Sequence, residues 1–511
     1  MTRTRRHRTP FLPIAGCLLL AACSDDTADA PPGAPGTLHR VAGLGALSFP
    51  NSGAAEAQEA FHKGVLLLHS FEYEDAAREF RAAHRADPGF VLAYWGEAMT
   101  HNHPVWMEQD REAAIRALER LGASAEERLA KAPTEREKAW LGAVEVLYGE
   151  GGKEERDLRY MDAMRALAEE HPDDLEARAF HALSILGSAH GGRDFAIYMR
   201  AAAAVQPVFD ANPEHPGAAH YLIHAFDDPV HAPLGLPAAR AYARIAPDAP
   251  HAQHMTSHIF VALGMWDEVV RANENARDKQ DAGRRALGRP ANACGHYASW
   301  LQYGYLMQER AEDAAALLDA CQERIVAGGS TPGEAGYYLT MRARYVLDTG
   351  DWESAWSRWA ADVGGAAWTA VPYDFVTALA RFRTGDVARA RALAERVLRM
   401  ASSADVGAQD RLLAEELRAL LALHDARGDE AVALLRAAAD AEAALPWEFG
   451  PPAVLQPTHE LLGETLLELG RADEAVAAFE TAVARTPGRS PAEDGLSRAR
   501  AAARSSPPWT P

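Results

Sequence analysis

Cysteine is scarce in this sequence. Four in 511 residues exclude a small scaffold built from disulfides. Positive charge is in deficit as well: 52 Lys and Arg face 72 Asp and Glu, a formal net charge of −20. A chain this acidic lacks the basic face that phosphate neutralisation needs, which argues against a nucleic-acid binder. Beyond the N-terminus no apolar run approaches the roughly 20 residues of a membrane span. The signatures HExxH, CxxCH, GxSxG and GxxxxGK[ST], the dinucleotide fingerprint and the calcium loop are all missing, and His459-Glu460 lacks a second His. What remains is 48% hydrophobic and 24% charged, an ordinary globular composition. At roughly 150 residues per domain, the length allows about three domains or one long repeat array.

The N-terminus has the layout of an export signal. Arg3, Arg5, Arg6 and Arg8 precede an apolar stretch from Phe11 to Leu20, followed by Leu20-Ala21-Ala22-Cys23. Those last four residues resemble the lipobox of bacterial lipoproteins. The resemblance implies removal of residues 1–22, lipidation of Cys23 and, with Ser24 behind it, an outer-membrane anchor facing periplasm or cell surface. Acyl chains tether without spanning. Loss of four Arg leaves 48 basic against 72 acidic residues, or −24. Residues 23–53, rich in Asp, Ala, Pro and Gly, are expected to form a flexible linker, and 501–511 a disordered tail.

Only Cys294 and Cys321 then remain in an oxidising compartment. On paired helices the first starts one helix and the second sits well inside the next. Their levels would differ by more than a disulfide allows, which argues against a bridge.

From 54 to 500 apolar residues recur at three and four, and no run of period two stands out, so the body is all-α. Internal similarity narrows the architecture. Gly64, Ala76, Phe80 and Pro88 are spaced 12, 4 and 8, and Gly463, Ala475, Phe479 and Pro487 repeat that spacing. Gly264-Met-Trp266, Gly350-Asp-Trp352, Gly385-Asp-Val387 and Arg427-Gly428-Asp429 look like further turns between paired helices. These residues resemble the tetratricopeptide repeat, a helix-turn-helix unit of 34 residues. The resemblance implies a right-handed α-solenoid of about nine or ten hairpins, with first helices lining a concave groove. Small residues let two helices approach, the aromatic fills the gap, and Pro ends the second helix.

Leu66-Leu-Leu-His69-Ser-Phe71, Ala93-Tyr-Trp95-Gly, His103-Pro-Val-Trp106, His190-Gly-Gly-Arg193 and His254-Met-Thr-Ser-His258-Ile-Phe260 are also similar to a family of secreted bacterial tetratricopeptide proteins. That resemblance covers most of the N-terminal 300 residues. It implies fold and export but no chemistry.

Histidine is where chemistry could reside. Seven fall within the 44 residues from His215 to His258, whereas 20 in 511 predicts about 1.7. His220 and His224 are four apart, His254 and His258 are four apart, and the pairs are offset by 34, one repeat. Pro216 and Pro250 share that offset and should start the two helices. Residues four apart share a helix face, and adjacent helices pack at about 8–10 Å, so four imidazoles should address one volume. His251 extends the stripe of the second helix, His296 can bring a sixth ring, and Asp227-Asp228 can supply carboxylates.

Neutral imidazole ligates Zn, Cu, Ni and Fe, and nearby carboxylates orient ligating rings. The metal-ligand set is therefore His220, His224, His251, His254 and His258. Two blander readings stand beside it: histidines contacting a partner in the groove, and histidines satisfied in packing. Groove-binding candidates are Trp95, Met99, His103, His296 and Tyr303, with Arg193 a candidate for holding an anion. Two functions follow. One is a tethered scaffold binding a peptide or protein in its groove; the other is a metal-binding protein or metal-dependent enzyme.

Overall fold

The computed structural model describes residues 37–359, 367–404 and 406–505. Helices run from Ala55–His69 to Ser490–Ser505, joined mostly by short turns, and successive helices pack side by side. Ten long pairs can be traced, beginning with Ala55–His69/Tyr73–Ala86 and ending with Thr458–Glu468/Ala472–Arg485. Pro332–Thr349 is followed only by the short Ala355–Arg358. The chain is an all-α solenoid of tetratricopeptide-type hairpins.

The repeat spacing has a direct packing cause. A Cβ on Gly64 would stand 3.0 Å from the Phe80 ring, and one on Gly96, in the next first helix, would stand 2.2 Å from it. Gly463 and Gly495 flank Phe479 in the same way, at 2.5 and 2.2 Å. Each aromatic thus fills a space that two glycines leave open between consecutive hairpins. Burying such a ring contributes about 1.5–3 kcal/mol.

The expected linker to residue 53 ends earlier. His39–Val41 pairs antiparallel with Gly45–Leu47, Leu47 and Phe49 are buried, and the Phe49 ring packs on Phe61, Trp95 and Trp140. Apolar residues at 44, 47 and 49 provide a face that a spacer would lack. At the other end helix persists to Ser505, so residues 501–505 of the expected 501–511 tail are helical, and the rest of it lies outside the described residues.

The array also curls back on itself. Trp266 Nε1 donates to the carbonyl of Gly488 at 2.6 Å, across 222 residues of sequence. Buried Arg489 pairs with Asp348 and Glu460, each at 2.6 Å. Among the described residues no helix is long and apolar enough to cross a membrane. Residues 1–36, where the export signal and lipidation of Cys23 are expected, lie outside the described residues.

Candidate metal centre

Local sequence sets the two central helices. Pro216 opens Pro216–Phe226, where its missing N–H costs nothing, and His215 caps it by accepting the Ala218 N–H at 3.1 Å. Pro250 opens Pro250–Ala262 in the same fashion. The offset of 34 is therefore a single repeat, and the two helices lie side by side.

The histidines gather into two triads, His220–His224–His251 and His254–His258–His296, each with ligand atoms within 4.8 Å of one another. The expected grouping by helix is thus wrong in one respect. His251 joins the pair on the preceding helix, its ring 5.0 Å from that of His220, and His296 from the following hairpin completes the other triad. The cause is periodicity: His251 lies one turn before His254, at the level of the neighbouring pair. The triads abut, with ring centres 6.1 Å apart for both His224–His258 and His251–His254.

Outer contacts orient these rings. The His220 Nδ1–H donates to the His69 carbonyl at 2.7 Å. His254 Nδ1–H donates to Asn273 Oδ1 at 2.7 Å; the Asn273 amide nitrogen is committed to the Val269 carbonyl, which fixes the oxygen as acceptor. His258 Nδ1 meets Asp227 Oδ2 at 2.6 Å, and His296 Nδ1 faces the Tyr337 hydroxyl at 3.3 Å. With Nδ1 protonated, a neutral imidazole presents a bare lone pair on Nε2.

Those Nε2 atoms converge. His254 and His258 stand 3.1 Å apart, His254 and His296 2.9 Å, and His220 and His224 3.1 Å. His251 Nε2 is buried without a partner. Nε2 atoms this close are joined either by a shared proton, N–H···N, or by a cation held between them. Burial holds His220 and His296 down to about 3. Burial, with the neighbouring rings adding to it, pushes His224, His251 and His254 down too. Neutral rings are the form that ligates.

Beneath the first triad lies a third group, His69–Glu176–His215, fully buried. Its polar atoms are engaged: Glu176 accepts from His69 at 2.7 Å and His215 at 3.1 Å, and Tyr221 contacts His69 Nδ1. Burial alone would raise the Glu176 carboxyl, but the two imidazoles pull it well below its usual range. The group anchors His69, whose carbonyl orients His220.

Aromatic rings pack on the cluster from a later hairpin as well. Phe449, from the turn before Thr458–Glu468, sits 5.4 Å from the His258 ring and 6.5 Å from His224. Trp300 packs on His258 at 4.4 Å, and Gly450 lies where any Cβ would strike that indole.

Several expected site residues lie elsewhere. Trp95 is buried among Trp140, Phe49 and Phe180, and Met99 receives the Tyr160 hydroxyl, so both serve the core of the first repeats. Tyr303 is buried between Trp266 and Arg489. His103 is half-buried and stacks on Tyr73 at 4.0 Å, separated from His251 by Trp106. Arg193, 2% exposed, donates to the carbonyls of His224 and Ala225 and pairs with Asp228. It therefore caps the end of Pro216–Phe226 and has no donor surface left for an anion. The bridge argued against from helix levels is present: Cys294 and Cys321 are disulfide-bonded, Cα atoms 4.7 Å apart. Cys294 precedes His296–Met307 in an irregular segment, so its level is free of the helix register.

Sequence reasoning missed Asn273, Trp300 and Phe449. Only Asn273 left a local signal, a polar residue on the buried stripe Val269, Val270, Ala276.

No family model and no curated protein matches the chain. Among solved structures it is similar to the P58(IPK) TPR domain, at 13% identity over 89% of this chain and 100% of that one, with a TM-score of 0.24. Yeast Tom70 gives 13% identity over 88% and 96%, with a TM-score of 0.35. An IFIT1 monomeric mutant with Gppp-AAAA gives 12% over 85% and 95%, with a TM-score of 0.38. Fold and site define a tetratricopeptide-type solenoid with two histidine triads buried among its middle hairpins.

Proposed function

We propose that this solenoid binds transition-metal ions, one in each triad. The observation that carries the reading is the convergence of Nε2 lone pairs at 2.9–3.1 Å while Nδ1 of His220 and His254 is committed to acceptors. Zn, Cu, Ni and Fe all suit imidazole donors. Asp227, Asn273 and the His69 carbonyl would act as the outer partners that hold ring orientation and raise ligand basicity. Histidines used for grasping a peptide would have to face solvent, whereas His220, His224, His254 and His258 are buried.

The array remains of a kind suited to protein interaction, and a partner on its outer or remaining inner surfaces is compatible with the metal sites. Lipid anchoring at Cys23 stays part of the proposal; loss of labelled palmitate from a Cys23→Ser protein would support it. The metal reading is tested by mass-spectrometric metal analysis after reconstitution at neutral pH. Two equivalents per chain, reduced by His220→Ala with His254→Ala, are expected. Metal near zero in the folded wild type would overturn it.

A further inference from the structure

Where the C-terminal hairpins curl back onto the middle of the array they leave an open cavity of about 570 Å³, which shares no residue with the histidine triads. Its wall comes from the ends of Pro332–Thr349 and Ala367–Arg383 together with Thr458–Glu468 and Ser490–Ser505. Five carboxylates line it against three guanidinium groups, a formal balance of −2. Most are paired. Arg489 spans Asp348 and Glu460, and Arg498 spans Glu464 and Asp494.

One acceptor in this wall is unmet. Asp348 Oδ1 accepts from Arg489 Nη2 at 2.6 Å, but Oδ2 of the same side chain, which is 2% exposed, has no hydrogen-bond partner. Arg344, one turn earlier on the same helix, is directed to the Ser299 hydroxyl and the Tyr303 ring instead. A buried carboxylate oxygen without a donor is costly, and a donor arriving from the cavity removes that cost. Glu309 adds a second free carboxylate: it is exposed and forms no ion pair among the described residues. Trp352 lines the same space, and an indole face attracts cations.

We propose that this cavity binds a primary alkylammonium group, which donates to Asp348 Oδ2 beside Trp352. The free acceptor selects the cation. A guanidinium meets a carboxylate best through a fork that uses both oxygens, whereas an ammonium is a compact point charge that one oxygen can satisfy. Arg489 already holds the other oxygen. The size is that of small-molecule sites, roughly 300–1,000 Å³, and the negative lining draws cations toward it. A free diamine and a lysine side chain of a peptide carry the same ammonium chemistry.

Titration calorimetry on the full chain tests this, with cadaverine in one arm and a capped peptide carrying a single lysine in the other. One equivalent should bind in at least one arm: cadaverine if the ligand is a free amine, the peptide alone if it is a lysine side chain. Asp348→Asn should weaken binding about tenfold or more, because Arg489 fixes the amide oxygen on its own side and turns the amide nitrogen, a donor, toward the ligand. Arg489 keeps Glu460 in that variant, so the fold should hold. Should it fail to fold, two other measurements decide. Glu309→Gln should weaken binding about two- to threefold, and the wild type should prefer pentylammonium to pentylguanidinium by about tenfold. No binding in either arm, an affinity indifferent to Asp348→Asn, or equal affinity for the guanidinium would overturn the inference.

Discussion

The Nε2 atoms of His254 and His258 stand 3.1 Å apart while Asn273 and Asp227 hold the opposite ring nitrogens. Under the proposed metal reading, two nitrogens so oriented form a chelate. Asp227→Asn and Asn273→Ala should therefore each lower metal affinity by about 10–100-fold with little change in fold, because they remove outer support and leave the ligands. Competition titration against a chelator of known affinity measures the shift. Unchanged affinity in both would contradict the orienting role.

Acidification should destabilise the metal-free protein. Burial depresses His220 and His296 to about 3, against 6.5 for the free side chain. Between those values the unfolded chain binds protons that the folded chain refuses, so stability falls as pH drops from about 6.5 towards 3. Melting temperature measured across that window should decline steadily. Metal should flatten the decline until protons displace it.

Reduction of Cys294–Cys321 should act at a distance. The bridge closes a loop of 27 residues that contains His296, and its loss should cost about 3.5 kcal/mol by chain entropy. Cys321→Ser should lower the denaturation midpoint and weaken the ion in the His254–His258–His296 triad more than its neighbour. Site-resolved titration with two metals distinguishes the two. An equal effect on both triads would contradict the assignment.

Packing between hairpins gives a test independent of metal. Gly96→Ala and Gly495→Ala each place a Cβ 2.2 Å from a buried phenylalanine ring, so each should destabilise by about 1–3 kcal/mol. Gly283→Ala, in open space within helix Trp266–Ala286, should be neutral or stabilising. Urea denaturation compares them.

Much of this molecule was legible in its residues. Period and composition defined the solenoid, because Gly64, Phe80 and Gly96 report a local packing problem that recurs at fixed spacing. The offset between His220–His224 and His254–His258 reported two neighbouring helix faces. What escaped was non-local. His251 switches to the preceding pair, a grouping set by relative helix height. Phe449 covers part of the centre because the array curls back, a closure fixed by Trp266 with Gly488 and Arg489 with Asp348, 222 and 141 residues apart. Periodicity within one hairpin carries no record of that. Trp95 misled for the opposite reason: an aromatic on a first helix can face a groove or a core, and Phe49, Trp140 and Phe180, brought from elsewhere in the chain, decide.

Anomalous diffraction at a metal absorption edge, on crystals of the reconstituted full chain, addresses the central claim most directly. Two peaks should appear, one within bonding reach of His220, His224 and His251 and one within reach of His254, His258 and His296. A map empty at both triads, or peaks confined to surface carboxylates, would contradict the account.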